Sequence, residues 1–287
     1  MNNEIIRAQC MPLPRCSIIW LSLLCLDAPI VAVSWQWLFG QALGAAEPMV
    51  EREALFLTAW LIYLADRLAD SIASGISQSA RQEFCARHRY FWTGLIAVVC
   101  LLDVEIILCC VKHETIVRGL YLGGIAGGYL ATNYFLSKVW ETIPIKEVIV
   151  GFLFAAGALL AIEPQLLATR STIRVAAALF AGLCALNCIA IAVWERDLDR
   201  AQQKHSIATR WPAVKFWARF LPLLLAAASA ALLVVDFAIW PLAACLCVSS
   251  ALLCALHFLP VQRDQRTALA DLVLLTPLVF AVAEKLL

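Results

Sequence analysis

A chain of 287 residues with 63% hydrophobic and only 15% charged side chains lies far from the globular norm of about half apolar and about a quarter charged. That balance excludes an ordinary water-soluble domain and points to an all-α, polytopic membrane protein. A formal net charge of +1, with the basic residues scattered through short connectors, leaves no basis for nucleic-acid binding, and no obligate protein partner is readable.

Arg7 and Arg15 precede an apolar stretch that starts near Ser17 and continues to about Gly40. This is too long for the apolar core of a signal peptide, about 7–15 residues, and reads as a retained first span. With about 20 apolar residues per crossing, hydropathy places nine spans at about 17–40, 53–70, 90–111, 117–137, 146–163, 173–194, 214–235, 238–259 and 268–286. The connectors are short except for two of roughly twenty residues, about 71–89 and 195–213. None is long enough to hold a separate soluble domain, so residues 1–287 are expected to form one unit of packed helices.

Orientation follows from the basic residues. With the N-terminus in the cytoplasm, sixteen of the twenty-two Lys and Arg residues fall on the cytoplasmic side and six, Arg52, Lys112, Arg118, Arg170, Arg174 and Lys285, on the other. The positive-inside bias therefore predicts a cytoplasmic N-terminus and an odd span count. A multi-pass protein of the inner (cytoplasmic) membrane is the expected setting, with the lipid bilayer as its surroundings.

Within the spans, Gly119, Gly123, Gly124, Gly127 and Gly128 give overlapping G-x-x-x-G spacings in the fourth helix, and Gly151 and Gly157 lie in the fifth. Both groups predict close helix packing. Trp20, Trp60, Trp140, Trp194, Trp211 and Trp240 fall mainly near span ends, where aromatic anchoring is the default. Asp27, Asp103, Glu105, Asn133 and Asn187 are costly against lipid and are expected to face the bundle interior, Asp103 and Glu105 in a structural or outer-leaflet role. Most of the twelve cysteines lie inside apolar runs and behave as small hydrophobes. No C-x-x-C pair occurs and the four histidines are far apart, which argues against a thiolate or haem centre.

Two acidic clusters interrupt this pattern. Leu61-Ile-Tyr63-Leu-Ala-Asp66-Arg67-Leu-Ala-Asp70 ends the second span, and Trp194-Glu195-Arg196-Asp197-Leu198-Asp199-Arg200 follows the sixth. Asp66/Asp70 and Glu195/Asp199 are both i, i+4 pairs, so each pair shares a helix face, with Tyr63 on the first. With the N-terminus inside, both clusters face the cytoplasm, each before a long connector. Oxygen-rich carboxylate pairs suit Mg²⁺, which keeps several waters and bridges one or two carboxylates to substrate phosphates. Arg67, Lys138, Lys146, Arg196 and Arg200 supply cations for a diphosphate. The combination suits ionisation of an allylic diphosphate in a water-poor cavity, with Asp66, Asp70, Glu195 and Asp199 as metal-holding catalytic residues. Tyr63, Asp27, Asn133 and Asn187 are candidates for the prenyl and acceptor pocket.

On these motifs the chain resembles the UbiA-type intramembrane prenyltransferase superfamily, whose members carry two cytoplasmic aspartate-rich motifs on nine transmembrane helices. The family's N-D-x-x-D-x-x-x-D keeps its last two acids as Asp66 and Asp70, with Ile62 and Tyr63 replacing the leading Asn-Asp. Its D-x-x-x-D reads Glu195 to Asp199, followed by Lys204-His205-Ser206. Lys138 and the run from Pro144 to Gly157 resemble the family's stretch entering the fifth helix. The resemblance implies Mg²⁺-dependent transfer of a prenyl group from a polyprenyl diphosphate to an aromatic or lipid acceptor. A terpene cyclase of the same superfamily and a non-catalytic carrier or scaffold are the alternatives.

Overall fold

The computed structural model describes residues 17–45, 48–73, 80–135 and 145–286. Among these residues every regular element is helical. A broken pair, α1 (Ser17–Leu23) and α2 (Asp27–Leu43), is followed by α3 (Met49–Ala73), a short α4 (Ala80–Arg87), α5 (Arg89–Cys110) and α6 (His113–Phe135). Next come α7 (Lys146–Leu159), α8 (Glu163–Ala168), α9 (Ser171–Trp194) and two short helices, α10 (Arg196–Ala201) and α11 (Ile207–Arg210). The chain ends in α12 (Val214–Val235), α13 (Trp240–Leu256), α14 (Arg263–Leu272) and α15 (Thr276–Leu286).

Six helical segments are long and apolar enough to cross a membrane: Arg89–Cys110, Lys146–Ala168, Ser171–Trp194, Val214–Val235, Phe237–Leu256 and Arg263–Glu284. The expectation of nine spans is met by length and apolarity for these six. The other three expected segments are helical in their described parts but differ for identifiable reasons. The first is interrupted at residues 24–26, the second carries Glu51, Arg52, Glu53, Asp66, Arg67 and Asp70, and the fourth is diluted by glycine and tyrosine.

Apolar side chains cover the outside as well as the inside. Leu101, Leu102, Val104 and Leu108 on α5 and Leu223, Leu224 and Val234 on α12 are all exposed, a distribution suited to a lipid surround and unusual against water. The core gathers around α9, the most deeply buried of the six. Phe180 of α9 stacks on Trp35 of α2 at 4.6 Å between ring centroids, and Phe39 closes the cluster at 5.9 Å.

Backbone groups in lipid must find internal partners, and the helix breaks show how. The first break puts Cys25 at φ 56, a left-handed conformation uncommon outside glycine, and the freed carbonyl of Leu24 accepts a hydrogen bond from Trp60 Nε1 at 2.9 Å. The 3₁₀ turn between α14 and α15 frees the Leu274 carbonyl, which accepts from Trp35 Nε1 at 2.8 Å. Trp60 was expected as an interfacial anchor; it closes a helix break instead. Trp20, Trp211 and Trp240 are exposed, and Trp194 packs at a tilt against His257. Trp140 lies outside the described residues.

Two further expectations need correction. Among the described residues most of the α6 glycines form no packing seam: a Cβ on Gly123, Gly124, Gly127 or Gly128 would meet no described atom within 4 Å. α6 reaches its neighbours through other atoms, with Gly119 facing Leu160 and Leu122 facing Gly157. Glu105 is exposed on α5, five residues from Cys110 and so about 7–8 Å from the helix end, close to where a bilayer surface would lie. Asp103, by contrast, is buried and accepts hydrogen bonds from Thr58 Oγ1 at 2.9 and 3.1 Å, which ties α5 to α3.

Candidate functional site

The two acidic clusters meet. Lys204, beyond the second cluster, donates to Asp70 Oδ1 of the first at 2.9 Å. Asp199 lies within electrostatic reach of Asp70, Lys146 and Lys204, with the Ser206 hydroxyl beside it. Glu195 sits among Arg81, Asp199, Arg67 and Arg263. Asp66 and Asp70 both act on Arg67, and Tyr129 of α6 faces Asp66, Glu147 and Asp70. Four carboxylates predicted from sequence, Asp66 and Asp70 on α3, Glu195 just after α9 and Asp199 on α10, thus lie among one connected set of cations.

The two long connectors close over this place. Gln202 Nε2, at the end of α10, donates to Gln82 Oε1 of α4 at 3.0 Å. From α4, Arg81 reaches Thr267 Oγ1 at 3.1 Å and Asp271 at 3.8 Å on α14. Glu147, the second residue of α7, is buried and accepts from the Ile207 amide at 3.2 Å through Oε1, satisfying one of the free amides that begin α11. Its Oε2 is buried without a partner among the described residues. Ser206 caps the same helix, its Oγ accepting from the Thr209 amide.

Below the acids lies a polar layer. Asn187 on α9 precedes Glu195 by eight residues, about 12 Å along a helix, and its Nδ2 donates to Asp271 Oδ1 at 3.1 Å. Asn187 Oδ1 is buried without a partner among the described residues. Asp27 is buried nearby, its Oδ1 accepting from the Ala28 amide at 3.0 Å at the start of α2, and Tyr63, Asp27 and Asp271 lie within electrostatic reach of one another. Tyr63, Arg67, Cys188 and Asp271 are each half-buried within the bundle. Tyr63 also meets Phe154 edge-on at 6.3 Å.

Burial pushes the Glu195 carboxyl up from its ordinary range, opposed chiefly by Arg81, with Asp199 adding to the rise. Asp199 is likewise pushed up by burial, opposed by the Ser206 hydroxyl, Lys146 and Lys204. Both ionised carboxylates therefore lack full compensation from the protein, a condition that an added cation relieves. Among the described residues no three His, Cys, Asp or Glu side chains gather closely enough to enclose an ion. Oxygen donors from facing helices and an unpartnered Glu147 oxygen fit a hard cation that completes its shell with water and phosphate, not an all-protein cage.

Not every expected residue joins. Arg196 turns away from the acids and lines a separate cavity with Val193, Pro212, Val214 and Lys215. Arg200 is half exposed and lies 4.0 Å from Asp197, itself almost fully exposed. Both diverge because residues 196–201 form a new short helix, α10, whose faces separate Asp199 from its neighbours. Asn133 is half buried on α6, and Lys138 lies outside the described residues. Arg81, Glu147 and Asp271 escaped the sequence reading, because none stands in an acidic cluster and each arrives from a distant element. Tyr129 was equally invisible, one tyrosine in a glycine-rich helix.

No protein-family model, no curated protein and no solved structure matches the chain.

Proposed function

We propose that this protein is an integral-membrane, Mg²⁺-dependent prenyltransferase that moves a prenyl group from a polyprenyl diphosphate to an acceptor. The observation that carries the reading is the Lys204–Asp70 ion pair, which joins the two acidic clusters. In the same reading the three remaining helical segments also cross, giving nine spans with the N-terminus in the cytoplasm and the acids at the cytoplasmic face of the inner membrane.

Lys146, Lys204, Arg67 and Arg81 would take the diphosphate, and Asp70 and Asp199, with Asp66, Glu195 and Glu147 around them, would hold the metal. When bound, Mg²⁺ neutralises charge that develops on the leaving diphosphate. The allylic carbon–oxygen bond breaks, the leaving group keeps the electron pair, the acceptor supplies the pair for the new bond, and the proton it loses passes to the released diphosphate. The Tyr63 ring would shield the cation on one side. The polar layer of Asn187, Asp271 and Asp27 favours transfer to an acceptor over cyclisation, because a cyclising hydrocarbon chain offers hydrogen-bonding groups nothing.

The test is Mg²⁺-dependent diphosphate release from farnesyl and geranylgeranyl diphosphate by the purified protein. Asp70→Asn combined with Asp199→Asn is expected to lower the rate by about 10²-fold or more, while Glu114→Gln, an exposed carboxylate on α6, leaves it unchanged. Release undiminished in the double variant overturns the proposal.

A further inference from the structure

Where the end of α9 meets α10, α11 and the first turn of α12, a partly open cavity of ≈110 Å³ is lined by Arg196, Asp197 and Lys215 against walls of Val193, Pro212 and Val214. Arg196 is half buried, its Nε has no partner, and its guanidinium makes no ion pair or hydrogen bond among the described residues. Lys215 makes none either. Asp197 points into solvent, 4.0 Å from Arg200. A half-buried guanidinium and an ammonium, both lacking counter-ions, give the cavity the character of an anion site, with the fork of Arg196 suited to the oxygens of a phosphate.

The surroundings narrow the choice of anion. Trp211, Phe216, Trp217 and Phe220, all exposed, stand in the same stretch of chain as the lining residues Pro212, Val214 and Lys215, and Phe216 lies 5.6 Å from Trp217 and 4.7 Å from Phe220 between ring centroids. Exposed aromatics at the end of a span mark the headgroup level of a bilayer. A free anion gains nothing from such a wall, whereas a lipid places its phosphate at the cations and its acyl chains along the rings. We propose that this cavity binds the headgroup phosphate of a membrane phospholipid, held by Arg196 and Lys215 and flanked by Phe216, Trp217 and Phe220. The proposal is independent of the catalytic reading.

Native mass spectrometry of the full-length protein in detergent, titrated with phosphatidylglycerol, tests it. The lipid is expected to stay bound where diacylglycerol, which lacks the phosphate, does not. At about fivefold in affinity per cation near the membrane surface, Lys215→Gln weakens binding about fivefold and the pair with Arg196→Gln about 25-fold. Arg196→Lys keeps most of the affinity, and a tenfold excess of inorganic phosphate leaves the lipid in place. Lys215 is exposed, so its variant reports even where Arg196→Gln fails to fold. Equal binding of diacylglycerol, unchanged affinity in Lys215→Gln, or displacement by inorganic phosphate overturns the assignment.

Discussion

Glycines on two neighbouring helices have opposite surroundings. A Cβ on Gly151 of α7 would run into the backbone of Cys184 and Ala185 on α9, whereas four of the α6 glycines face open space. The G-x-x-x-G repeat is the more conspicuous sequence, yet the isolated Gly151 is the one that lets two helices touch. The contrast extends to whole regions. α9 and α13 bury most of their length, while little of α5 is covered. Close packing in lipid needs a small residue opposite a neighbour, and a sequence shows the small residue but not the neighbour.

The comparison breaks most sharply at Trp35, which is fully buried, stacks on Phe180 and closes the helix break at Leu274. Trp35→Ala removes ring, stack and donor together and is expected to destabilise the protein by about 3–5 kcal/mol. Leu101→Ala, on the exposed face of α5, should leave the melting temperature in detergent almost unchanged. Gly151→Ala comes next. Neither backbone at that crossing can yield without shifting a helix, so a loss of about 1–3 kcal/mol is expected. A thermal melt of Gly151→Ala indistinguishable from wild type would mean that α7 and α9 are not in contact there.

The regions also differ in how far sequence alone could foresee them. Helix positions were legible, because apolar length sets them, and so was the meeting of the two acidic clusters, since each stands at the end of a long helix. What the sequence hid was supplied by tertiary contact. Trp60 reads as an anchor until the Leu24 carbonyl is seen to need a donor. Asp271 reads as an ordinary charge in a helix until Asn187 and Arg81 are found against it. Arg196 and Arg200 look equivalent to Asp199 in a short acidic-basic run, but the turn into α10 sends the three in different directions. Glu105 shows the reverse failure: the cost of facing lipid predicts an inward carboxylate, and its place near the helix end removes that cost.

At the end of the packed region, His257 gives a smaller effect that depends on pH. Its Nδ1 accepts from Trp194 Nε1 at 3.3 Å, a bond that requires this nitrogen to be unprotonated. Burial, aided by Arg219 and Arg266, lowers its pKa to about 4, against about 6.5 in the unfolded chain. Between those values the unfolded state binds more protons, so stability is intact above about pH 6.5 and is lost as pH falls towards 4. With allowance for partial exposure the loss is about 1 kcal/mol. Melting temperatures across that window should fall in the wild type and less steeply in His257→Gln, and identical slopes would remove His257 as the cause.

The last expected change has the opposite sign. Gly124→Ala with Gly128→Ala adds two methyl groups to α6 where no described residue opposes them, while the two substitutions together restrict the unfolded backbone and favour helix by about 1 kcal/mol. If the face meets only lipid or detergent, the double variant should melt slightly higher than wild type and elute at the same size. A lower melting temperature together with a smaller particle on size-exclusion would show that another chain packs there. The G-x-x-x-G repeat would then be a packing seam after all, between molecules and not within one.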